Sequence, residues 1–247
     1  MTCAIGQEID LSNYEKQHYS QQGEDGVIQK ILEVIGDDSK YYVEFGAMDG
    51  HYLSNTKYLR DYCNWKGLLL DSGHEDPSIN LHRAHVTASN INELFAQYEV
   101  PYNLDVLSID IDSNDFYVWK AIDNKYRPRL VVIEYNASHL PNEDKVVMHN
   151  PNHYWDGTNY YGASILAMYH LGRSKGYSLV YAENRGVNLF FVRDDLIKAP
   201  FKNMNNVEKI FRAACYSHGP RGGHPQDPQN RPYTTSTALL NPDNKQK

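Results

Sequence analysis

The stretch Tyr41-Tyr42-Val43-Glu44-Phe45-Gly46-Ala47-Met48-Asp49-Gly50 leaves this chain few ways to fold. A short β-branched and aromatic run passes into a turn bearing two glycines and flanked by carboxylates, and a helical pattern follows after Ser54-Asn55-Thr56. A buried parallel strand, a glycine turn and a helix, in that order, are the unit of open α/β sheets, which hold nucleotide-like ligands at the carboxyl ends of their strands. The turn lacks the three-glycine spacing of a dinucleotide site and the Lys and Ser or Thr of a phosphate loop. Because it is acidic, it suits a ligand with a cationic group better than one with phosphates. S-adenosylmethionine, with its sulfonium and ammonium charges, meets that requirement; a tight turn holding no ligand is the plainer account.

The pattern repeats downstream. Gln21 to Asp25 precede a helix in which Val27, Ile28, Ile31, Leu32 and Ile35 recur at helical spacing until Gly36-Asp37-Asp38, so that Gln21 and Glu24 project over the adjoining strand end. Ser54 is a natural N-cap for the next helix. Leu68 to Leu70 read as a second buried strand ending in Asp71-Ser72, and a carboxylate there can accept hydrogen bonds from both ribose hydroxyls. Ala84 to Thr87 read as a third strand, with Ser89 and Asn90 capping a helix and lying near an adenine ring. Val106 to Ile109 and Arg129 to Ile133 are further strands. Residues 141–161, rich in Asn, Pro, His and Tyr, predict a long loop of the kind that forms lids. A helix from Ser164 and a terminal strand pair, Ser178 to Tyr181 with Asn188 to Val192, close the domain. The boundaries are 1–18 for a loose lead-in without clear period, 19–195 for the domain and 196–247 for a C-terminal extension. Within it, the Pro, Gly, Asn and Gln of 217–247 predict a disordered tail in preference to a strap held by a partner subunit.

Composition narrows the function classes. A chain of 247 residues with 41% hydrophobic and 22% charged residues is an ordinary globular protein, and a formal charge of -7 argues against a nucleic-acid partner. Three scattered cysteines, no secretory signal and no membrane-spanning run predict a cytoplasmic protein without a membrane partner; a homo-oligomer is compatible with all of this.

The chemistry concentrates at two strand ends, Asp110 with Asp112 and Glu134 with Asn136. Carboxylates crowded together repel unless something positive compensates, and a divalent cation such as Mg2+, the cationic end of a cofactor, or Lys120 and His139 could do so. An oxygen-only set selects a hard ion, which would acidify a substrate hydroxyl and leave the second acid as general base. Asp115 reads as a cap of the helix that follows. His139, His149 and His153 lie in or beside the long loop and could meet an acceptor.

Tyr19 to Asp25, Val43 to Gly50 with Ser54-Asn55-Thr56, Leu107 to Asp112, Arg127 to Glu134 and Asn188 to Val192, in that order, resemble the FkbM-type S-adenosylmethionine-dependent methyltransferases. The resemblance implies a Rossmann-like class I methyltransferase fold: a mostly parallel seven-stranded sheet with a terminal antiparallel strand and helices on both faces. It implies O-methylation of a hydroxyl on a sugar, glycan or related small molecule. Carried onto this sequence and joined to the residue readings above, the cofactor set is Gln21, Glu44, Gly46, Ala47, Asp49, Gly50, Asn55, Asp71, Ser72, Ser89, Asn90 and Asp110. The catalytic set is Asp112, Asp110 and His139, and the metal set Asp110, Glu134 and Asn136. The rival readings are a catalytically silent cofactor- or glycan-binding module of the same fold, and a nicotinamide-dependent oxidoreductase.

Overall fold

A computed structural model describes residues 8–241. In chain order the principal elements are α1 (Glu24–Ile35), β1 (Tyr41–Phe45), α2 (Lys57–Cys63), β2 (Lys66–Asp71), β3 (Leu81–Arg83), α3 (Ile91–Gln97), β4 (Val106–Ile109), α4 (Asp115–Ala121) and β5 (Leu130–Glu134). There follow β6 (Val146–Val147), α5 (Ile165–Ser174), β7 (Tyr177–Ala182), β8 (Asn188–Arg193), α6 (Val207–Ile210), β9 (Tyr233–Thr234) and α7 (Ser236–Leu240). Seven strands form one sheet in the order β3-β2-β1-β4-β5-β8-β7. The pairs from β3 to β5 are parallel, and β8, the last strand of the sheet in sequence, runs antiparallel to both β5 and β7. This is the mostly parallel seven-stranded sheet with a terminal antiparallel strand that the resemblance implies. Chain order reverses between β1 and β4, so a crevice opens at their carboxyl ends.

Alternation along the strands divides the core into two layers. Val43, Leu107 and Val131 face one side with Phe95, Trp119 and Met168 of the helices α3, α4 and α5. Tyr42, Val106 and Val132 face the other with Val27, Ile28 and Ile31 of α1. Among the described residues no helix is long and apolar enough to cross a membrane.

Three sequence expectations need correction. The third strand is Leu81–Arg83 rather than Ala84 to Thr87; it is an edge strand with one buried apolar residue, Leu81, so its sequence carries little strand signal. The lead-in is pinned where it is described: Ile9 bridges to Phe201, and the Glu15 carboxylate accepts from the Tyr181 hydroxyl at 2.7 Å and the Asn184 amide at 2.9 Å. Residues 217–241 are a strap on their own chain, not a disordered tail. Within it β9 pairs with β6, α7 packs on α5, and Asp144 accepts from the Ser236 and Thr237 amides at its start. The strap is held by polar bonds and aromatic rings, which a hydrophobicity pattern does not reveal. The rest of the lead-in and tail, with Cys3, lies outside the described residues.

Candidate functional site

A cavity of about 420 Å³ occupies the crevice. Its floor is the end of β1 and the turn after it. Glu44 is buried and its carboxylate is held by Ser54 Oγ at 2.7 Å, Thr56 Oγ1 at 2.6 Å and the Asn55 amide at 2.8 Å. It therefore anchors the start of the second helical segment while still facing the cavity. Gln21, Gly46, Ala47 and Asn55 line the same floor, and Asp71 and Ser72 line its flank. Asp71 Oδ1 accepts from the Gly73 and His74 amides and the His74 ring, whereas Oδ2 accepts from the Met48 amide alone at 2.9 Å, so it retains capacity for a further donor.

Four members of the cofactor set lie off the cavity lining. Asp49 is exposed and uses its carboxylate to hold the His51 and Tyr52 amides at 2.9 and 2.8 Å. Gly50 sits against Leu69 and Ile79 instead. Ser89 and Asn90 brace their own loop, Ser89 through Thr87 Oγ1 and Asn90 through the Thr87 amide and the His85 carbonyl. Because β3 ends four residues earlier than its sequence suggests, Ala84, His85 and Val86 take the place predicted for them.

The acids of β4 and β5 do converge. One carboxylate oxygen each from Asp110, Asp112 and Glu134 lies within 4.8 Å of the other two. Asp112 is exposed and adopts a left-handed backbone, φ +61°, rare for a residue with a side chain. Asp115 enforces that turn by accepting the Ile111 amide at 2.8 Å and the Ser113 amide at 3.1 Å, one on each side of Asp112. Burial, then the neighbouring acids, raises Asp110 and Glu134 well above the ordinary carboxylate range. Loss of water around its carboxylate raises Asp112 although the residue as a whole is exposed, with Asp71 adding to the shift, and burial pushes Asp115 up to about 6.

The metal and catalytic sets need two corrections. Asn136 is no ligand: its amide group donates to the Asn159 and Tyr161 carbonyls at 2.8 and 2.9 Å and its oxygen accepts the Ser138 amide, so it fastens the lid. Asp112 takes its place in the cluster. His139 lies in a separate cavity, edge-on to Tyr233 at 4.8 Å, and does not reach the acids. Lys120 is exposed on α4, and among the described residues neither Lys nor Arg lines the main cavity.

The remaining walls come from residues that the sequence did not single out as site residues, apart from His153. The long loop supplies His153, Tyr154, Trp155 and Tyr161, in keeping with its reading as a lid, and the strap and the residue before it supply His224 and Tyr216. Asn114 and Asn188 also face inward. Their amide groups are committed to the Asn150 carbonyl and the Glu24 carboxylate, which fixes both side chains with oxygen unpaired. Asn55 Oδ1 and Glu134 Oε2 are likewise buried without a partner.

No family model and no curated protein matches the chain. Among solved structures it is similar to an O-methyltransferase family protein from Burkholderia thailandensis, with 11% identity and a TM-score of 0.37 over 72% of this chain and 59% of that one. It is also similar to the CurJ carbon methyltransferase, with 11% identity and a TM-score of 0.34 over 68% and 52%. The citrinin polyketide synthase CMeT domain matches with 11% identity and a TM-score of 0.33 over 71% and 54%. The chain thus spans little more than half the length of each.

Proposed function

We propose that the chain is an S-adenosylmethionine-dependent O-methyltransferase acting on a hydroxyl of a sugar-like small molecule. The observation that carries this reading is the lining of the cavity. Glu44, Asp71, Asp110, Asp112 and Glu134 face it, and among the described residues no Lys or Arg joins them and four buried side-chain oxygens there lack a donor. Leaving such acceptors unmet costs roughly 1–3 kcal/mol each, so the natural occupant is cationic and rich in donors. The motifs resembling FkbM-type enzymes agree with this.

S-adenosylmethionine would supply a methyl group on a cationic sulfur. The chain's own part is to hold and to deprotonate. Asp71 Oδ2 keeps acceptor capacity for ribose hydroxyls, and the Asn55 and Asn188 oxygens can receive the ammonium. Asp112, the exposed member of the acid cluster, takes the acceptor proton, because its raised pKa makes it a stronger base than a solvated carboxylate. The acid cluster also fits a hard divalent cation such as Mg2+, which Asp110 and Glu134 would hold with Asp112 left beside it as base, and which would acidify a bound hydroxyl.

Isothermal titration with S-adenosylmethionine tests the reading. Saturable binding is expected for the natural chain, with at least about tenfold weaker binding for Asp110→Asn, since a charge-assisted contact is worth about 1.5–3 kcal/mol. No heat at millimolar cofactor would overturn it.

A further inference from the structure

We propose that the C-terminal strap completes the acceptor half of this cavity, and that the aromatic wall it forms with the lid selects an uncharged polyhydroxylated ring over phosphorylated or carboxylated acceptors. The inference rests on the methyl-transfer reading for its chemistry. His224 of the strap packs at a tilt against Trp155 of the lid, ring centroids 4.4 Å apart, and lies 5.0 Å from Tyr216 and 5.7 Å from Tyr161. The Tyr161 and Tyr216 hydroxyls meet at 2.6 Å. All four rings line the cavity that holds the acids.

The wall is built rather than incidental. A tight turn brings the strap to the cavity, with the Tyr216 and Ser217 amides donating to the Gly222 carbonyl at 3.0 and 2.9 Å. Downstream, Arg231 locks the strap to Asp156 of the lid at 2.6 Å. Aromatic faces beside polar edges suit a ring whose carbon–hydrogen face packs on them while its hydroxyls point elsewhere. Here the hydroxyls find Asn114 Oδ1 and Glu134 Oε2, two buried oxygens without donors. An acceptor bearing phosphate or carboxylate would instead meet Asp110, Asp112 and Glu134, with no Lys or Arg among the described residues of the lining to offset the repulsion.

The test is direct binding to the full chain by saturation-transfer NMR, with and without S-adenosylhomocysteine. Its probes are neutral methyl glycosides, glucose 6-phosphate, glucuronate and catechol. A neutral glycoside is expected to bind at least about tenfold more tightly than the anionic sugars and more tightly than catechol. Trp155→Ala and His224→Ala should each weaken the glycoside by roughly tenfold, as loss of a packed ring does, and His224→Phe should retain most of the affinity. Cofactor affinity, measured separately, should not change in these variants. Equal or tighter binding of the anionic sugars or of catechol, absence of glycoside binding, or unchanged glycoside Kd in both alanine variants would overturn the proposal. Glycoside binding without any cofactor binding would leave the wall standing and defeat the methyl-transfer reading instead.

Discussion

His139 shows what burial does to one side chain. It is 5% exposed, edge-on to Tyr233, and its Nε2 has no partner. Burial, reinforced by Lys145 and Arg221, holds its pKa down at about 4 against an ordinary 6.5. Between those values the unfolded chain carries a proton that the native chain refuses, so stability falls as pH drops from 6.5 to 4 and this contribution is flat below. The full effect is up to about 3 kcal/mol. His139→Phe keeps the ring against Tyr233 and removes the proton. Urea midpoints at pH 7, 5.5 and 4 should therefore decline less steeply in the variant; parallel declines would refute this account of the site.

At the scale of elements, the crevice depends on how closely β1 and β4 approach beyond their last paired residues, Phe45 and Ile109. Gly46 lies at that point with φ +66°, and a Cβ there would fall inside the Asp110 carbonyl, whereas at Gly162, φ +56°, a Cβ meets nothing within 4 Å. Gly162→Ala should cost about 1 kcal/mol of backbone strain. Gly46→Ala should cost at least about 2–3 kcal/mol through strain and overlap together, lowering Tm by roughly 5–10 °C and weakening cofactor binding. A comparable small loss in both would mean that the strand ends are not the constraint. The same contrast explains what could be read from the sequence. Leu68 to Leu70 and Arg129 to Ile133 signalled strands because a parallel strand buried on both faces is continuously apolar. Glu44, Asp71, Asp110, Asp112 and Glu134 followed because strand ends fix their direction. Asp49, Ser89, Asn90 and Asn136 went astray because short polar side chains in turns close on their own backbone, a choice that residue type alone does not reveal. His224 and Tyr216 gave no signal: a segment held by Arg231, Asp144 and tilted or edge-on aromatic contacts has the composition of a loose one.

For the whole molecule the consequence is that lid and strap form one cooperative unit laid over an independently bonded sheet. Arg231 ties them together. Its guanidinium reaches Asp156 at 2.6 Å, Asp227 at 3.0 Å and Thr158 Oγ1 at 3.2 Å, and lies 4.1 Å from the centre of the Tyr160 ring. Tyr160 returns a bond to the Pro232 carbonyl at 2.9 Å, and Tyr233 reaches the Asn159 carbonyl at 3.0 Å. None of these bonds involves the seven-stranded sheet, so losing them should open the cover without unfolding the base. Arg231 holds the Asp227 carboxyl down at about 2, so at any pH above about 4 the clamp is fully ionised. Arg231→Ala at pH 7 should therefore raise amide exchange in 148–160 and 217–235 together, by about tenfold or more for a loss of 1.5 kcal/mol or more, while β1, β4 and β5 keep their protection. Arg231→Lys, which retains charge but not the fork, should fall between the two. Exchange that rises in the strap alone would show that the lid holds itself, and the two would then have to be treated as separate units.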